Sequence, residues 1–102
     1  MSKDAVMNEE ERIKIEAATF RRFLDHLDSH KEVQNIDLMN LASFCRNCLS
    51  KWYSAEAKER GHEIDYENAR EIVYGIPYSE WKSKYQQKAT TEQLDKFKEQ
   101  SN

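Results

Sequence analysis

The chain has 102 residues, enough to bury one core in one domain. Its 19 acidic and 16 basic residues are interspersed and give a formal charge of -3, which leaves no broad cationic face for nucleic acid or an anionic membrane. Two glycines and one proline against 34% charged residues favour solvated helix faces, and no apolar run reaches the roughly 18 residues that a membrane span needs.

Residues 1–8 are polar, carry no apolar leader core, and read as a flexible N-terminus before a single helical domain over residues 9–98. Glu9, Glu10 and Glu11 open the first helix, where negative charge complements the dipole. Ile13, Ala17, Phe20, Leu24 and Leu27 then recur at helical spacing as far as Ser29 or His30. The short polar link from Lys31 to Ile36 predicts a hairpin with antiparallel arms.

Asn35 or Asp37 is placed to cap a long second helix, whose apolar face carries Leu38, Leu41, Ala42, Cys45, Cys48, Leu49 and Trp52. Gly61 ends it. Asp65 caps a third helix from Tyr66 to Tyr74, closed by Gly75, and Gly75-Ile76-Pro77 forces a turn. Ser79 is placed to cap a fourth segment with Trp81 and Tyr85, and Thr90 with Gln93 forms a capping box for a last helix that frays over residues 99–102. The expected fold is all-α, an antiparallel helical hairpin with shorter C-terminal helices packed across it.

Cys45-Arg46-Asn47-Cys48 has the spacing used by zinc sites and by thiol redox enzymes. In an unbroken second helix Cys45 is mid-helix, its amide spent in the ladder, so the activation a helix start gives a thiolate is missing. Both cysteines also lie on the apolar stripe, which reads as packed core thiols. The alternative is a zinc site of Cys45, Cys48 and His26; along straight antiparallel arms His26 falls roughly 7 Å from the level of Cys45, and His30 roughly 13 Å.

The segment from Tyr74 to Tyr85 interleaves rings with lysines, a pattern that packing over the hairpin explains better than base stacking. No glycine-rich phosphate loop, nucleophile elbow or paired-histidine zinc helix occurs, so a conventional enzyme is disfavoured. Arg46 and Asn47 are expected to point away from the core and, with Tyr78 and Trp81, to supply an interaction surface.

Gln34-Asn35-Ile36-Asp37-Leu38-Met39, then Phe44-Cys45-Arg46-Asn47-Cys48-Leu49 and Trp52-Tyr53, and later Ala69 to Tyr78 with Trp81-Lys82, resemble the small bacterial family called domain of unknown function 1244. The resemblance spans residues 20–97 and implies a compact, cytosolic, helical protein without an established activity. The polar residues within its motif imply a shared binding surface. The resulting expectation is a cytoplasmic, noncatalytic interaction or self-association module without a cofactor, whose partner is a protein or a second copy, with neither nucleic acid nor membrane involved. A thiol-dependent site at Cys45 and Cys48 is the alternative.

Overall fold

The structure is a computed structural model that describes residues 7–101, so most of the expected flexible N-terminus and the final residue lie outside the described residues. Six helices and no strand occur among the described residues: α1 (Glu9–Asp28), α2 (Asn35–Ala42), α3 (Arg46–Glu59), α4 (Tyr66–Tyr74), α5 (Tyr78–Tyr85) and α6 (Thr91–Ser101). The all-α class therefore holds. Asn8, expected in the tail, instead caps α1 by accepting from the Glu11 amide at 2.8 Å.

Several ends follow the chemistry of their residues. The Asp65 carboxylate accepts from the Asn68 amide at 2.8 Å at the start of α4. Thr90 and Gln93 exchange side-chain and backbone bonds of 2.7 and 3.1 Å before α6, the reciprocal capping box. Gly75 closes α4 at φ 75°, and Gly61 follows α3 at φ 81°. Pro77, rather than Ser79, occupies the cap position of α5.

The long second helix is the main departure. It breaks after Ala42, where Ser43 turns left-handed at φ 58° and ψ 30°, and α3 begins three residues later. Such a residue without glycine costs roughly 1–2 kcal/mol. Offsetting contacts are visible: the Ser43 amide reaches Met39 O at 2.9 Å, and Phe44 swings in against Phe23 with ring centroids 6.2 Å apart. The broken helix does not pair along α1 as one arm. α3 packs chiefly on α4, α2 packs on α6, and α1 touches α4.

The core gathers Leu27, Leu49, Val73, Tyr74 and Trp81, with Phe20, Phe23, Leu24 and Phe44 packed around it. Tyr74 and Trp81 meet edge to face at 5.2 Å, a favoured ring geometry. Each principal helix except α2 and α6 thus gives the centre a residue. The first three turns of α1 stand outside it, exposed from Glu9 through Thr19.

The two glycines separate backbone strain from steric fit. A Cβ at Gly75 meets Asp28 Oδ1 at 2.6 Å, whereas one at Gly61 meets nothing. Gly75→Ala is expected to lower stability by more than the about 1–2 kcal/mol of the left-handed penalty alone. Gly61→Ala carries only that penalty. Urea unfolding of both variants measures the difference, and equal losses would remove Asp28 from the explanation.

Candidate functional site

The break at Ser43 changes the chemistry of the cysteine pair. Cys45 is extended at φ -149° and ψ -179° and stands at the cap position of α3, with Cys48 one turn inside. The pair expected mid-helix therefore lies at a helix start, where amides and the dipole favour negative charge. The two Sγ atoms are 3.9 Å apart, and Cys48 Sγ is also 3.9 Å from Met39 Sδ on α2. Both cysteines are free; Cys45 is buried, and Cys48 is partly exposed.

Burial pushes the Cys45 thiol up, and the neighbouring Cys48 adds to this, while the Cys48 and Asn47 amides pull it back down. The net direction is up. In the free chain Cys45 therefore holds its proton beyond the ordinary thiol range, and the helix start offsets only part of its desolvation.

Arg46, expected on the surface, is 1% exposed and lies inside. Its guanidinium donates to Val33 O at 2.7 Å, Asn35 Oδ1 at 3.0 Å and His30 O at 2.9 Å. It also sits 5.2 Å from the Trp81 ring centroid. His30 and Val33 lie in the link between α1 and α2 and Asn35 opens α2, so one side chain ties that link to α3 and α5. Burial pulls its pKa down, while Tyr74, Cys45 and Glu32 pull it up; arginine remains a cation throughout the working range.

Asn35, Asn47 and Tyr74 complete this network. Asn35 Nδ2 donates to the Tyr74 hydroxyl at 3.0 Å, and that hydroxyl donates to Asn47 Oδ1 at 2.6 Å. Asn35 thus spends its side chain on Arg46 and Tyr74 rather than on capping α2. Asp37, the other expected cap, accepts from Gln93 Nε2 at 2.9 Å. Trp81 is 1% exposed and donates through Nε1 to Lys31 O at 2.9 Å.

Of the four residues assigned to a surface, Arg46 and Trp81 are interior, and Asn47 and Tyr78 are half-buried. Arg70 lies over the Tyr78 ring at 3.9 Å, so that ring already has a cationic neighbour. His26 is exposed and faces His30 with ring centroids 4.8 Å apart. Among the described residues no three His, Cys, Asp or Glu side chains converge as a metal site. His26 is therefore not brought to Cys45 and Cys48, because the broken helix removes the straight arm on which that alignment depended.

An apolar cleft of about 770 Å³ lies elsewhere, between the outer half of α1 and α3. Ile13, Ala17 and Phe20 form one wall, and Leu49, Trp52 and Tyr53 the other. Ile13 and Trp52 are each 55% exposed. The stripe of α1 was legible in the sequence, but its exposure was not, since helical spacing looks the same whether the face is covered or open.

No helix among the described residues is long and apolar enough to cross a membrane. A family model described as "Protein of unknown function (DUF1244)" matches residues 33–99, which takes in α2 to α5 and most of α6 and leaves α1 outside. No curated protein matches the chain.

Arg46→Ala is expected to cost about 3 kcal/mol or more in urea unfolding, because it strands buried acceptors and an inward-turned link. A loss below about 1 kcal/mol would mean the network is dispensable. Burial also pushes the Tyr74 hydroxyl up. The folded chain thus keeps protons on Cys45 and Tyr74 that the unfolded chain releases near 9.0 and 10.0, so stability falls as pH rises through that range. Tyr74→Phe should lower stability at neutral pH by about 1–2 kcal/mol and flatten the alkaline fall. An unchanged alkaline slope would place the titration elsewhere.

Proposed function

We propose that this chain, which belongs to the DUF1244 family of proteins of unknown function, is a noncatalytic interaction module whose partner is a second copy of itself. The observation that carries this reading is the apolar cleft between α1 and α3, with Ile13 and Trp52 open to solvent on a small chain. Exposed contiguous apolar surface of this kind marks contact sites.

The charge pattern of α1 supports a second copy as occupant. Its first turn is acidic at Glu9, Glu10 and Glu11, and Arg21 and Arg22 are exposed three turns on. An antiparallel partner helix brings each acidic end over the other's arginines, with the small Ala17 near the axis and Ile13 toward the partner's Phe20. A two-fold contact of this kind is self-complementary.

A second reading follows from a different observation. Cys45 at the start of α3, 3.9 Å from Cys48, forms a dithiol that can close to a disulfide by local rotation, with two electrons and two protons passing to an external disulfide oxidant. That reading concerns residues outside the cleft.

Native mass spectrometry of untagged protein tests the first reading. Wild type is expected as a dimer at micromolar concentration, and Trp52→Glu as a monomer with unchanged circular dichroism, since Trp52 is not a core residue. A wild type that is monomeric across the accessible concentration range would end the self-association reading.

A further inference from the structure

We propose that Met39, Cys45 and Cys48 form a three-sulfur site for a soft monovalent cation of the copper(I) class. The site deepens the dithiol reading, on which it rests, and is independent of self-association.

Cys48 Sγ stands 3.9 Å from both Cys45 Sγ and Met39 Sδ. With metal–sulfur bonds of about 2.3 Å, the corners of a trigonal sulfur site are about 4.0 Å apart. The Cys45–Cys48 and Cys48–Met39 edges match that length. The break at Ser43 creates this arrangement, because it lets the end of α2 deliver Met39 to the first turn of α3. Cys48 and Met39 are both partly exposed, which gives an ion a path in, while Cys45 is buried behind them.

The donor set then selects the ion. Thiolate and thioether are soft donors, which suit copper(I), whereas zinc takes four thiolate, imidazole or carboxylate ligands in structural sites. Among the described residues no histidine, aspartate or glutamate joins the two cysteines to make such a set.

Charge points the same way. Binding releases one proton from each thiol, so two thiolates, a neutral thioether and a monovalent ion carry a net charge of -1. Arg46, between the cysteines in sequence, is a buried cation whose charged form a negative Cys45 favours. A divalent ion would leave the cluster neutral and Arg46 without this counter-charge. Cys45 also stands at the cap position of α3, where the helix dipole favours negative charge. The ion supplies the charge that makes deprotonation of a buried thiol favourable.

The test is an anaerobic copper(I) titration of the reduced, untagged full-length chain against a chromophoric competing chelator, with native mass spectrometry for stoichiometry. One ion per chain, protection of both thiols from alkylation and release of two protons are expected. Met39→Leu, a volume-conserving change, should weaken binding at least about tenfold. It should leave disulfide formation and circular dichroism unchanged, and zinc should not displace the copper. Absence of one-to-one binding by wild type, or equal affinity in Met39→Leu, would overturn the three-sulfur site. Oxidation of wild type by diamide separates the two ideas: a disulfide without copper binding removes the site and keeps the dithiol reading, whereas neither event removes both.

Discussion

The guanidinium of Arg46 lies inside the molecule, on a residue that is only 1% exposed. A buried cation costs several kcal/mol unless its donors are met and its charge is surrounded by dipoles or rings. Here Val33 O, His30 O and Asn35 Oδ1 accept from it, and Trp81 covers it. Those partners come from the link after α1, the start of α2 and the middle of α5, so satisfying one side chain fixes the placement of three segments. Tyr74 and Asn47 extend the network into α4 and α3, and each buried polar group there has a neighbour to bond.

The break in the second helix is the backbone counterpart of this arrangement. Ser43 accepts a left-handed conformation without being glycine. The return is that Phe44 packs inward against Phe23 and α3 starts afresh with Arg46 in its first turn, the guanidinium reaching the preceding link. The same change of direction carries Cys45 from the middle of a helix to its cap and brings Met39 beside Cys48. A structural demand from one arginine thus sets the environment of two thiols.

Much of the fold was legible because its signals are local. The acidic first turn of α1, the Asp65 and Thr90/Gln93 caps and the two left-handed glycines are each decided within four residues, and each is found where the sequence puts it. The break was not legible, since Leu38 to Trp52 keeps a helical apolar period across it and no glycine or proline marks Ser43. The burial of Arg46 was equally hidden: its acceptors are carbonyls 13 and 16 residues away, and backbone acceptors leave no mark in a sequence. Reading the polar motif as surface followed from ordinary exposure preferences, which fail where interior oxygens accept from a guanidinium. The nearness of Met39 to Cys48 was hidden as well, because it arises from the break.

α3 joins the cysteine pair to the apolar cleft. Its cap is Cys45 and its first turn carries Cys48, and the following turns carry Leu49, Trp52 and Tyr53 into the cleft against α1. Leu49 belongs to the core as well as to the cleft, and Ser50 beside it is fully buried. A helix held at these points in a close-packed interior cannot rotate to expose Cys45 without disturbing the cleft wall. Access to the sulfur cluster must therefore come through Cys48 and Met39, the members of the cluster that already reach the surface, while the core-facing side of α3 stays fixed.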